Sequence, residues 1–218
     1  YGAGKSEELI GRFLKECNSP VVVATKFGRG DGVYPDNYSE SILMHSIEAS
    51  LKRLGTGTID LLQLHCIPTE VLRQGDVFNW LRRAKQNGLI RHFGASVETV
   101  EEGLICLEQD DLLSLQVIFN IFRQKMVNEL LPQAKARGVG IIARLPLASG
   151  LLSGKFTRET TFVPTDHRNY NRDGASFNVG ETFAGLPFAK GIELVEMIKD
   201  MLPGDISMAQ LALRWILD

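Results

Sequence analysis

Cysteine is scarce and scattered: Cys17, Cys66 and Cys106 are the three in 218 residues. An odd number in no metal-ligand spacing excludes a disulfide scaffold and suits a reducing compartment. Charge of one sign is also missing. Lys and Arg number 24 against 26 Asp and Glu, a net charge of −2 with a pI near 6.1. That balance argues against a nucleic-acid partner or an anionic membrane surface. No apolar run approaches the roughly 18–20 residues that span a bilayer, and the opening residues lack the charged-then-apolar order of a signal segment. No repeat, low-complexity tract or Pro/Ser linker divides the chain. What is present is an ordinary globular balance, 44% hydrophobic and 23% charged. It predicts a cytoplasmic protein, one domain over residues 1–218, with no nucleic-acid or membrane partner; the sequence sets no oligomeric state.

Short β-branched runs alternate with segments of helical period, the order of a parallel α/β fold. Five strands are predicted: Val21–Thr25, Ile59–His65, Arg91–Ser96, Leu115–Ile121 and Val139–Leu145. Four are continuously apolar in the middle, as strands buried on both faces should be. Between them, Ser6 with Glu7 and Glu8 reads as a helix cap and acidic first turn. Leu43, Ile47, Leu51 and Leu54 share a helical face, closed by Gly55, and Asn87-Gly88 ends the next helix. Thr99-x-x-Glu102 and Ser207-x-x-Gln210 fit capping boxes. Further helices are expected over Asn128–Arg137 and Ala189–Met201, and Trp80 and Trp215, on apolar helix faces, read as core. Phe156 to Phe188 has no periodicity and reads as a lid or binding loop.

Opening and closing on helices leaves two apolar edge strands unpaired, which soluble folds avoid. The unit therefore reads as incomplete at both ends, and the 218 residues alone are expected not to fold stably.

Six segments in order carry a resemblance: Tyr1-Gly-x-Gly-x-Ser-Glu-x-x-Ile-Gly, Val-Ala-Thr-Lys26, Ser50-Leu-Lys-Arg-Leu-Gly-Thr, Ile59-Asp-Leu-Leu-Gln-Leu-His65, Ile90-Arg-His-Phe-Gly-Ala-Ser96 and Pro146-Leu-x-x-Gly-Leu-Leu-x-Gly-Lys155. From Tyr1 to Asp218 the chain resembles an aldo-keto reductase. The resemblance implies a (β/α)8 TIM barrel with strands three to seven present. It also implies reduction of a small-molecule aldehyde or ketone with NADPH, NADH being left open because the motif reading the 2′-phosphate lies outside the sequence.

Carbonyl reduction needs a hydride, which side chains cannot supply, and a proton. A tyrosine of ordinary pKa about 10 is a poor acid at neutral pH unless a cation stabilises its phenolate. By resemblance Tyr1 is the proton donor, Lys26 the cation, and His65 the hydrogen-bond donor to the carbonyl oxygen. The family's aspartate partner for the lysine would precede residue 1, which leaves Lys26 expected as a partly buried cation without its partner. Ser96 and Gln116 match the nicotinamide carboxamide positions. Val97 stands where many members have asparagine, and Arg144 replaces the aromatic that stacks on the nicotinamide ring. Leu145, Leu147, Ser149 and Gly150 match the cofactor loop, and Lys155 is expected to reach a phosphate.

Alone, each residue has a duller reading: Tyr1 as frayed surface, Lys26 as a snorkelling lysine, His65 as a structural histidine. Their joint occurrence within matching motifs favours function. His45 and His92 lack that support, Cys66 reads as a small buried hydrophobe, and His167-Arg168-Asn169 reads equally as solvated loop or ligand contact. Gly2-Ala-Gly-Lys-Ser6 resembles the end of a P-loop with Asp60 as a magnesium partner, but that reading leaves Lys26, His65 and Pro146–Lys155 unexplained. A stronger competitor is a non-catalytic, cofactor-binding regulatory subunit of the same fold, like the potassium-channel beta subunits. Those proteins typically lack the histidine at the His65 position.

Overall fold

A computed structural model describes residues 2–17, 19–171 and 182–218. Five strands, β1 (Ala24–Phe27), β2 (Ile59–His65), β3 (Ile90–Ser96), β4 (Leu112–Ile118) and β5 (Gly140–Arg144), lie side by side in sequence order. The pairings from β1 to β4 are parallel, so each connection must cross back. The helices α1 (Lys5–Glu16), α2 (Glu40–Leu54), α3 (Thr69–Gln74), α4 (Asp76–Gln86), α5 (Val100–Leu107) and α6 (Leu130–Ala136) alternate with the strands as predicted, followed by α7 (His167–Tyr170), α8 (Phe188–Lys199) and α9 (Met208–Leu217). None of the described helices is long and apolar enough to cross a membrane.

The chain packs as two compact units, Tyr1–Gln116 with Val127–Ile142, and Val117–Met126 with Ala143–Asp218. In the first, Leu62 and Leu64 of β2 and Phe93 and Ala95 of β3 are buried, as are Leu43, Ile47 and Leu54 of α2 and Val77, Phe78 and Leu81 of α4. Each fully buried leucine contributes about 1.5–3 kcal/mol by leaving water. In the second, Leu151, Leu152, Phe183, Ile192, Val195, Met208 and Ala212 form the core.

The local signals behave as read. Gly55 takes φ 68° at the end of α2, and both capping boxes close with hydrogen bonds in each direction. Several boundaries move. Pairing of β1 begins late, because the Val23 amide donates to the Asp60 carboxylate at 2.9 Å rather than to a strand; Val22 is 80% exposed. The strand is therefore Ala24–Phe27, and Lys26 lies within it. β4 starts three residues earlier than expected and stops at Ile118, since Asn120 turns the chain by accepting from the Phe122 amide at 3.0 Å. β5 is not buried on either face: Ile141 and Ile142 are 37% and 36% exposed. Gly4, not Ser6, stands at the N-cap of α1. On α2, Ser50 is buried in the place expected for Leu51, and Trp80 and Trp215 are half-buried, not core.

The stretch read as a lid is anchored in its described parts; residues 172–181 lie outside them. Phe156 packs edge-on against Phe162 at 5.4 Å, and Phe183 lies 4.9 Å from Phe188. The Arg168 guanidinium sits 4.5 Å over Phe162 while its Nε donates to Asp166 at 2.9 Å. These bonds hold the Asp166 carboxyl well below the usual carboxylate range.

Candidate active site

Parallel pairing sets the polar residues at matched heights along the sheet. Lys26 is opposite Gln63, His65 opposite Ser96, and Ser96 opposite Gln116. His65 and Ser96 end their strands as expected, and Gln116 stands two residues before the end of β4. Lys26 and His65 line one cavity of about 490 Å³, with Gly2, Phe27, Arg29 and Arg53 among its walls. Tyr1 lies outside the described residues, and its neighbours Gly2 and Ala3 line this same cavity. Lys26 is half-buried and has an interaction partner.

The cavity wall behind Lys26 is held by Glu7. The Thr25 hydroxyl donates to Glu7 Oε1 at 2.5 Å and Arg53 Nε donates to Glu7 Oε2 at 2.7 Å. Burial pushes the Glu7 pKa up, but the hydrogen bonds from Thr25, Arg53 and Ser50 outweigh it and keep the carboxyl below its ordinary value. The motif glutamate read as a dipole partner on α1 thus ties α1, β1 and α2 together beside the cavity.

Ser96 is 1% exposed and Gln116 half-buried. A hydroxyl and an amide on paired strands are the donor and acceptor types a carboxamide requires. In the second unit, Leu145, Ala148, Ser149 and Gly150 take φ of 56°, 46°, 57° and 94°. These left-handed residues shape a tight turn in which the Ala148 and Gly150 amides donate to the Leu145 and Leu147 carbonyls at 3.0 and 2.9 Å. At Gly150 a Cβ would stand 2.9 Å from the Phe156 ring, so a side chain is strained at that position. Leu147 precedes the 3₁₀ turn Ala148–Ser153. Arg144 is half-buried at the end of β5, and Lys155 is exposed. Asp60 is engaged by the Val23 amide and by Arg91 at 3.3 Å, and Lys5 pairs with Glu8; the P-loop reading therefore finds no support. Among the described residues no group of three or more His, Cys, Asp or Glu could hold a metal ion.

The model of the aldo/keto reductase family matches residues 1–218. The chain belongs to that family. It is 29% identical over 223 residues to the aldo-keto reductase YhdN of Bacillus subtilis, covering 100% of this chain and 65% of that protein. A glycerol dehydrogenase from Gluconobacter oxydans superposes with a TM-score of 0.76 at 30% identity, covering 100% of this chain and 66% of that one. A probable voltage-gated potassium channel subunit beta of rice is 28% identical over 232 residues, 99% of this chain and 67% of that protein. The chain thus spans slightly under two thirds of the Bacillus and Gluconobacter proteins. Its five-stranded α/β fold is that of the family's (β/α)8 barrels, and the family is one of oxidoreductases that use nicotinamide cofactors.

Two cavity residues carry no role in the sequence analysis: Arg29, in the loop after β1 where no period marks it, and Arg53, which falls inside the Ser50–Thr56 motif. Both are assigned by long-range partners, Cys66 and Glu7 respectively, which no local pattern announces.

Proposed function

We propose that the protein reduces a small aldehyde or ketone to its alcohol, with NADPH as the hydride source and NADH as the open alternative. The observation that carries this reading is that Lys26 and His65, from neighbouring parallel strands, line one cavity with the residues that follow Tyr1. A nicotinamide cofactor, when bound, would supply the hydride that side chains cannot. His65 donates a hydrogen bond to the carbonyl oxygen and orients it. Tyr1 gives that oxygen a proton, and the Lys26 ammonium stabilises the phenolate left behind. Ser96 and Gln116 would hold the carboxamide of the cofactor, Arg144 would offer its guanidinium plane to the ring, and Leu145, Leu147, Ser149, Gly150 and Lys155 would hold the pyrophosphate. In this reading the 218 residues belong to one barrel domain. Three free cysteines and near-zero net charge support a cytoplasmic setting.

The test is NADPH oxidation with 4-nitrobenzaldehyde by the protein and by Tyr1→Phe. Turnover that collapses in Tyr1→Phe while cofactor still binds supports the reductase and its proton donor together. Tight cofactor binding without turnover on a wide carbonyl panel would instead favour a regulatory subunit, the role that the rice relative's name suggests for that protein.

A further inference from the structure

The segment that leaves β2 immediately after His65 is strained and doubly tied. Cys66 is 7% exposed and takes φ 46°, a left-handed conformation that is strained for a residue with a Cβ. Such a backbone persists only where its surroundings hold it. Two neighbours do so. From the β3 side, the Cys66 amide donates to the Ser96 carbonyl at 2.9 Å, and the Cys66 thiol lies 3.4 Å from the Ser96 hydroxyl. From the β1 side, Arg29 donates from both Nε and Nη2 to the Cys66 carbonyl, each at 3.3 Å.

Arg29 is itself fixed. Its guanidinium lies 4.5 Å over the Tyr34 ring, and it forms no ion pair among the described residues. The residue before it, Gly28, takes φ 122°, and a Cβ there would meet Ile67 at 2.3 Å. The chain after β1 therefore lies directly on residues 65–67. The Tyr38 hydroxyl completes the clasp by donating to the Gly28 carbonyl at 2.9 Å. Burial pushes the Tyr38 phenol up to about 12, so it remains a donor at neutral pH.

We propose that Arg29 is a positioning residue for His65: its two-pronged bond to the Cys66 carbonyl locks the strained peptide after His65 and so fixes the imidazole at the cavity wall. The guanidinium lines the cavity, but its donors on Nε and Nη2 are directed at backbone, which makes it part of the frame and not a substrate anchor. Only arginine presents two donors from one rigid plane to a single acceptor. A displacement near 1 Å of a reacting group costs on the order of 100-fold in rate, so a loosened Cys66 peptide acts on kcat and leaves binding intact.

The kinetic arm of the test rests on the reductase reading; the spectroscopic arm does not. For Arg29→Ala in the whole protein, kcat should fall roughly 10- to 100-fold while the carbonyl KM and cofactor Kd stay within about threefold. Guanidinium ion at non-denaturing concentration should restore part of the rate, and Arg29→Lys, with one donor in reach, should fall between. In parallel, histidine-selective NMR, assigned through His65→Gln, should show the His65 ring resonances shifted or broadened in Arg29→Ala while those of His45 and His92 stay in place. A kcat within about threefold of wild type, or unchanged His65 resonances, overturns the proposal. If the wild type shows no turnover the reductase reading fails, and the His65 resonances alone decide the clamp. Should Arg29→Ala not fold, Arg29→Lys carries the same two readouts.

Discussion

Two regions address the proposed chemistry by different means. On the strands of the first unit the proposed working groups are side chains, Lys26 within β1 and His65 at the end of β2, held by a parallel ladder. In the second unit the proposed contacts fall on the loop from Leu145 to Gly150, which positive φ angles and internal bonds from the Ala148 and Gly150 amides fold into a tight turn. The first arrangement suits chemistry, because a pKa or a proton belongs to a particular side chain. The second suits holding a cofactor by shape, because the backbone conformation of the turn and not a titratable side chain sets its form.

Substitutions can break this division of labour, and the largest effect belongs to the strands. Lys26→Met should lower kcat by about 10²–10⁴-fold and leave cofactor affinity nearly unchanged, read by steady-state kinetics beside fluorescence titration with NADPH. The loop should answer in the opposite sense. Gly150→Ala adds a methyl at φ 94° and 2.9 Å from Phe156; it should weaken cofactor binding about tenfold, the scale of 1–2 kcal/mol of backbone strain, with kcat at saturation largely retained. If both variants lost kcat and affinity alike, the two regions would not differ as described.

Much of this was legible in the chain, and what was hidden has a common cause. Capping boxes at Thr99 and Ser207, the Gly55 stop and the ends of β2 and β3 rest on neighbours within a few residues, so local pattern reveals them. The start of β1 was misread because Val21-Val22-Val23 has strand composition, yet the Val23 amide goes to Asp60, 37 residues away. Glu7 looked like a helix-dipole acid, and only folding brings Thr25 and Arg53 to it. The phenylalanine cluster around Arg168 escaped for the same reason: its rings are too widely spaced in sequence to make a period, and they meet only in space.

Smaller effects sharpen the comparison further. Glu7 has a folded pKa below its ordinary value of 4.5, so its network stabilises the fold above that pH and is lost as pH falls below it. Wild-type Tm should therefore drop between pH 5 and 3, a range about the ordinary carboxylate pKa. Glu7→Gln should start from a lower Tm at pH 7 and show a shallower decline. Equal slopes would mean that Glu7 contributes nothing to acid sensitivity. Last comes Lys155, exposed and at the edge of the loop. Lys155→Ala should weaken cofactor binding by no more than about threefold, the range of a solvent-screened charge pair, and the difference should vanish at high salt.

The most direct test of the whole account follows the hydride. The protein is incubated with a carbonyl substrate and NADPH deuterated at one or the other C4 position, and the alcohol is analysed by mass spectrometry and NMR. The account predicts one deuterium on the carbinol carbon from only one of the two labelled cofactors, and none from either in Tyr1→Phe beyond a small residue. A folded protein that binds NADPH yet places no deuterium on any carbonyl tested would contradict it.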